Sequence, residues 1–453
     1  MKQYEVIVVG AGPAGEVCAG QIATEGVEVA LVERELVGGE CSFWACMPAK
    51  ALLRPAALLA ELGRVPGVNG DGDGGLDARA VLARRDEVIH DLDDAAQLPW
   101  VQDRGITLIR GEARLDGERR VRVGDELLEA RRAVVVAVGS GAAIPPIPGL
   151  REIAPWTNRA ATTAKAVPGR LTVLGGGAVG CEMSQAWRSR GAEVPLIESQ
   201  PQLLTGEEPF ASEQLADSLR AQGVDVRLGA TATAAAREGN EFVLTLDDGD
   251  AIRSDELLVA VGRRPHTDGL RLDSVGLKPG ETIPVDDRMR VPGHDWLFAV
   301  GDVNGRALLT HAGKYQARVA CAVIMNRAAR AQWDGPLSPR VIFTDPQIAA
   351  VGLTFEAALA AGLPARAVDT DPEATPGGSF VGRGATAQAR LVIDEQRRVI
   401  VGATFSGPDV AEWLHGVTIA IVGEVPLERL IHVIPAFPTR SEIWLRLLSE
   451  WDF

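Results

Sequence analysis

The sequence predicts an α/β fold with two doubly wound domains and a smaller α+β domain after them. Three observations predict it. One strand–turn–helix–strand pattern occurs twice, near the N-terminus and again after residue 170. The chain has 453 residues, too many for a single core, so two to four domains are expected. From about Leu337 the composition shifts to strand-like runs, VIFTDPQIAAVGL and ARLVIDEQRRVIVGATFSG, followed by two helical stretches.

The repeat carries the most information. Its first copy reads YEVIVVGAGPAGEVCAGQIATEGVEVALVE and its second GRLTVLGGGAVGCEMSQAWRSRGAEVPLIE. Each has a β-branched strand, a G-x-G-x-x-G turn, a helical stretch and a strand ending in Glu. The glycines are Gly10, Gly12 and Gly15, then Gly175, Gly177 and Gly180; the acids are Glu33 and Glu198, each 18 positions after the last glycine. One glycine permits the tight turn, another lets the backbone approach a pyrophosphate, and the third lets helix and strand pack closely. Free N–H groups and the dipole at the helix start favour the negative charge, and the acid accepts hydrogen bonds from a ribose. Two complete units with equal spacing predict two Rossmann-like dinucleotide-binding domains. Ala14, Gly39 and Ala113 join the first candidate site, with the Gly139-Ser140 turn; Ala178, Val179 and Gly262 join the second.

Helical sequence is expected from Asp77 to roughly Gln97, then β-rich sequence ending in RRAVVVAVGSGAAIPPIPG, with Pro145 to Pro148 as a linker. DELLVAVGRRP closes the second unit at Gly262, and DWLFAVGDVNGRALLTHAGKYQARVA supplies a strand, an Asp-containing turn and a helix. The expected boundaries are 1–150 and 266–336 for two parts of the first nucleotide domain, 151–265 for the second, and 337–453 for the α+β domain.

With 61 acidic against 46 basic residues the net charge is −15, which gives no general attraction for nucleic acid or an anionic membrane. No apolar run is long enough to span a bilayer, and a strand-like segment begins at Tyr4, so no leader and a cytoplasmic location are expected. Cys18, Cys181 and Cys321 stand alone in apolar surroundings and read as packing residues.

Cys41 and Cys46 differ. In GGECSFWACMPAKALLRP they lie five positions apart at what reads as a helix start. Residues so spaced in a regular helix are roughly 8–9 Å apart, whereas a disulfide needs less than about 7 Å between Cα atoms. A bonded pair therefore requires a tightened or irregular turn. A helix start also lowers a thiol pKa. Metal binding would need two more ligands, and the six histidines form no cluster with the pair. A close-set pair beside a dinucleotide fold reads as catalytic.

Taken together, these segments resemble the flavin disulfide oxidoreductases that include dihydrolipoamide dehydrogenase, glutathione reductase and mercuric reductase. The resemblance covers essentially the whole length, ending in an interface domain that opens at FTDPQIAAVG. It implies FAD in the first site, a nicotinamide nucleotide in the second, and a homodimer whose α+β dimerisation domain completes the partner's site. Asp302 would hold the ribityl chain, and Lys50 and Glu182 would pair near flavin N5. Cys46 would be the flavin-proximal sulfur and Cys41 the sulfur that attacks a small-molecule substrate. Lys50 is one of only five lysines in an arginine-rich chain. Glu198 would repel a 2′-phosphate, which favours NAD(H) over NADP(H).

One departure stands out. Relatives carry His-Pro-Thr-x-x-Glu, whose histidine is the acid and base for thiol exchange; here the segment is FPTRSE, with Phe437 in the histidine slot and Glu442 kept. A positioned acid–base group is worth roughly 10²–10⁴-fold. Phe43 and Trp44 between the cysteines either form an apolar pocket with Phe437 or pack into the domain. The expected activity is hydride transfer from NADH through flavin to the disulfide, then to an atypical small or hydrophobic disulfide. Direct flavin reduction of quinones is the rival, as is a chemistry similar to 2-oxopropyl-coenzyme M oxidoreductase/carboxylase, which shares the Phe but replaces the glutamate. A third alternative, a redox sensor with little turnover, fits poorly with a complete electron path.

Overall fold

The computed structural model describes residues 1–67, 75–449 and 451. The chain forms two compact units. One comprises Met1–Pro48, Asp86–Ala143 and Arg263–Ser338; the other comprises Ala49–Arg85, Ile144–Gly262 and Pro339–Phe453.

The first unit is built on a seven-stranded sheet. Its order is Thr107–Arg110, Val29–Glu33, Lys2–Val9, Glu126–Val136, Arg120–Val123 and Ala113–Leu115, and Leu297–Ala299 also pairs with Glu126–Val136. The strands around Lys2–Val9 run parallel. Parallel strands covered on both faces read as unbroken apolar runs rather than alternating ones. Accordingly Val6, Ile7 and Val8 are all fully buried, as are Val134, Val135 and Val136. The helix Pro13–Thr24 follows the first glycine turn and packs on the helix Thr310–Ile324. Their buried faces meet at Cys18 and Cys321, whose sulfurs are 3.5 Å apart.

The helix expected from Asp77 to Gln97 is broken. It runs only over Ala78–Val88, after which His90, Asp91 and Leu92 all have positive φ, and a short turn leads into the helix Leu98–Asp103. The break frees the side chains of Asp93 and Asp94. Asp94 accepts the Val37 N–H at 2.7 Å and pairs with Arg110 at 2.6 Å, while Asp93 accepts the Ala95 N–H at 2.8 Å. Tertiary hydrogen bonding thus overrides a locally helical pattern.

The second unit holds a parallel four-stranded sheet, Asp225–Leu228, Pro195–Glu198, Leu171–Leu174 and Glu256–Val259, with a three-stranded antiparallel sheet from Ala232 to Ser254. Its helix Ala178–Arg188 follows the second glycine turn and buries Trp187 completely. The C-terminal part carries a five-stranded antiparallel sheet in the order Arg340–Ile342, Gln347–Gly352, Val399–Gly407, Gln388–Asp394 and Ala365–Thr370. The α/β architecture with two nucleotide-type halves and a terminal α+β part is as expected.

Candidate active site

The two glycine turns have the same local geometry. Gly10 and Gly175 have φ near +100° and +113°, which only glycine adopts without strain. A side chain at Gly15 would strike the Gly10 carbonyl, and one at Gly180 would strike the Gly175 carbonyl. The acids repeat the symmetry. Glu33 accepts the N–H groups of Ala11 and Glu35, each at 2.7 Å. Glu198 accepts those of Gly176 and Gln200, at 2.6 and 2.8 Å. Each carboxylate is held at the strand end beside its turn.

A narrow pocket of about 70 Å³ lies along the first turn, lined by Gly10, Glu33 and Ala113 among others. Gly39 approaches the same turn so closely that a Cβ on it would sit 2.8 Å from the Gly12 Cα. Gly139, with φ +68°, leads into Ser140, whose hydroxyl donates to Asp302 at 2.6 Å. Arg263 donates to the Ser140 hydroxyl and carbonyl at 2.7 and 2.6 Å and lies 3.4 Å from Asp302. Sequence reading missed Arg263; the GRRP run after Gly262 was its only signal. Ala178 opens the second helix, the partly exposed Val179 follows, and Gly262 has φ +147°.

The cysteine pair sits at a break between two helices. Cys41 lies within the short helix Gly39–Phe43, Trp44 leaves helical geometry with φ −135°, and Cys46 opens the helix Cys46–Arg64. The irregularity that a bonded pair would require is supplied by this interruption, with both cysteines free thiols. Both are partly buried thiols in mutual hydrogen-bond contact. The Cys46 sulfur is 3.4 Å from the Thr310 hydroxyl, at the start of the helix Thr310–Ile324. The hydrogen bond with Cys46 and then burial raise the Cys41 thiol well above the ordinary thiol range, while Thr310 and Lys314 act the other way. Phe43 and Trp44 are buried with Ile89 and Leu36, their ring centroids 5.8 Å apart. They pack into the domain, and the pocket alternative is not needed to account for them.

In the second unit, Lys50 donates to both carboxylate oxygens of Glu182, at 2.9 and 2.8 Å. Glu182 also accepts the Phe343 N–H at 3.0 Å, and the Lys50 ammonium lies 4.7 Å from the Phe343 ring centroid. Phe437 is 75% exposed, whereas Glu442 is buried with its Oε2 unpartnered. No group of three or more His, Cys, Asp or Glu able to hold a metal occurs among the described residues. Among them also, no helix is long and apolar enough to cross a membrane.

The family model described as pyridine nucleotide-disulphide oxidoreductase matches residues 4–332, and the model of that family's dimerisation domain matches residues 338–447. The chain belongs to this family. It is 32% identical to a dihydrolipoyl dehydrogenase of Thermus scotoductus over 98% of its own length and 96% of the relative's. It is 27% identical to a mercuric reductase of Staphylococcus aureus, covering 97% of this chain and 81% of that one. Among solved structures, the HOCl-induced flavoprotein disulfide reductase RclA of Escherichia coli superimposes with a TM-score of 0.86 at 24% identity, over 99% of this chain and all of RclA. LpdA of Mycobacterium tuberculosis gives 0.86 at 22%, with full coverage of both chains. These two are likenesses of fold.

Membership makes the chain an oxidoreductase of the flavin type. The residues present fit FAD. Gly12, just before the first-copy helix, would direct a Cβ into open space, as a pyrophosphate cradle requires, and Glu33 stands beside it with a carboxylate.

Proposed function

We propose that the chain is an NADH-preferring disulfide reductase that delivers two electrons to Cys41 and Cys46 and then to a small disulfide with an apolar body. The observation that carries this reading is the sulfur pair itself: two thiols in contact at a helix break, the second touching Thr310. FAD, when bound, accepts a hydride and passes an electron pair to a disulfide. Gly10, Gly12, Ala14, Gly15, Glu33, Gly39, Ala113, Gly139, Ser140 and Asp302 would hold it. Gly175, Gly177, Ala178, Val179, Glu198 and Gly262 would hold the nicotinamide nucleotide, and the Glu198 carboxylate supports NADH over NADPH by repelling a 2′-phosphate.

Cys41 gives up its proton and attacks the substrate disulfide, one half leaving as thiolate, and Cys46 then displaces the bound half to re-form the Cys41–Cys46 bond. Lys50, held bidentately by Glu182, keeps a fixed positive charge for electron transfer. In a homodimer of the family's type, Phe437 and Glu442 would face the partner's cysteines. With Phe437 there, that slot supplies no imidazole to protonate the leaving thiolate, which favours a substrate whose thiolate is stable unprotonated. A cytoplasmic setting belongs to the same reading, supported by Cys18, Cys181 and Cys321 being buried free thiols.

The test is anaerobic titration with NADH, followed by maleimide labelling and flavin absorption. Two new thiols per chain and a long-wavelength thiolate–flavin band, both lost in Cys46→Ser, are expected. Flavin bleaching with neither would overturn the reading. Phe437 also favours a second reading, direct flavin reduction of a quinone-like acceptor. Quinone turnover that persists in Cys41→Ser while disulfide turnover disappears would distinguish the two. The intact Glu442 argues against the carboxylase-like chemistry.

A further inference from the structure

The turn that carries Asp302 is held by one buried amide. The turn follows the strand Leu297–Ala299 and leads to the helix Thr310–Ile324. Gln316 of that helix is fully buried. Its Oε1 accepts the Gly301 N–H at 2.8 Å and an N–H of the Asn304 side chain at 2.9 Å. Asn304 also donates to the Ala299 carbonyl at 3.1 Å and accepts the Arg306 N–H at 3.0 Å, so it spans the turn from the strand end to its exit. Asp302 follows Gly301 directly, so the direction of its carboxylate depends on where the Gly301 amide is fixed. Ser140 and Arg263 meet that carboxylate at 2.6 and 3.4 Å.

The Gln316 amide nitrogen faces an acid. It donates to Asp334 at 3.0 Å, and Arg306 donates to both oxygens of Asp334 at 2.6 and 2.8 Å. The Asp334 side chain is only 1% exposed. Burial works to raise its carboxyl, but the hydrogen bonds from Arg306 and Gln316 outweigh it and hold it below the usual carboxylate range. Gln316 thus stands between two N–H groups, which need an acceptor, and a carboxylate, which needs a donor. A side-chain amide meets both demands. A carboxylate at 316 would repel Asp334, and an apolar side chain would leave buried polar groups unpaired.

We propose that Gln316 is a positioning residue for FAD: braced by Asp334, it fixes the Gly301 amide and so aims Asp302 at the cofactor. The assignment rests on the reading above that Asp302 holds FAD, and it is independent of what the cysteines reduce.

The experiment exploits the matching shapes of amide and acid. FAD dissociation constants are read from free-flavin fluorescence on serial dilution of the holoenzyme. Gln316→Glu should raise the constant by about tenfold, the effect of disrupting one buried hydrogen-bonded contact. Adding Asp334→Asn to it exchanges amide and acid, restores one donor and one acceptor across the contact, and should bring the constant back to within about threefold of the wild type. Should Gln316→Glu alone not fold, the double variant decides: it must fold and bind FAD that well, and weak binding in it overturns the assignment. A merely structural role would lower the urea midpoint of Gln316→Glu and leave its FAD dissociation constant unmoved, which also overturns it. Asp302→Ala separates the two claims. If that variant binds FAD as tightly as the wild type, the reading of Asp302 fails; if it binds weakly while Gln316→Glu does not, only the Gln316 assignment fails.

Discussion

Lys50 and Glu182, 132 positions apart in sequence, form a bidentate pair at 2.8 and 2.9 Å, with the Glu182 side chain only 6% exposed. Removing the lysine leaves a buried carboxylate whose remaining donor is the Phe343 N–H. Lys50→Met should destabilise the protein by about 1–3 kcal/mol, below the range for fully buried pairs because the lysine itself is partly exposed. Urea unfolding midpoints check this. Flavin reduction by NADH, followed by stopped flow, should slow in parallel if the charge also serves electron transfer.

Phe437→His should raise turnover of an alkyl disulfide such as lipoamide, whose thiolate needs a proton on leaving. A positioned imidazole is worth roughly 10²–10⁴-fold, and the buried, unpartnered Oε2 of Glu442 is available to orient one. The gain should be far smaller for dithiobis(nitrobenzoate). Equal gains for both substrates would mean that position 437 acts by shape rather than as an acid.

Glu198 is fixed by the N–H groups of Gly176 and Gln200. Glu198→Ser removes its negative charge, and the NADPH to NADH ratio of kcat/KM should rise by about tenfold, a change of ~1.4 kcal/mol. Steady-state kinetics with both nucleotides decide it.

Burial pushes the Glu16 carboxyl from 4.5 up to about 7, with Lys314 opposing and Glu33 adding to the rise. The folded state therefore holds the proton more tightly than the unfolded chain. Stability from this group is fully present below about pH 4.5 and is lost as pH rises toward 7, by up to about 3 kcal/mol. Glu16→Gln should flatten that fall. Urea midpoints between pH 5 and pH 8 give the slope, and an unchanged slope would show that Glu16 does not titrate in this range.

Much of this protein was determined by local sequence. The glycine turns, their acids and the buried β-branched strands were legible because φ restrictions, helix-end charge and strand burial act over a few residues. Gly10 and Gly175 show it: each needs a positive φ that its own turn imposes. The five-position cysteine spacing likewise called for an irregular backbone if the pair is to bond, though not the form of it. The tertiary structure alone decided where the helix after Asp77 stops, because Asp94 is drawn to Val37 and Arg110. It alone brought Thr310 to Cys46, 264 positions apart, and set Arg263 on Ser140. It also resolved Phe43 and Trp44 as core. Such pairings depend on which surfaces the packed helices and strands bring within a few ångströms, and no local pattern of residues encodes that distance.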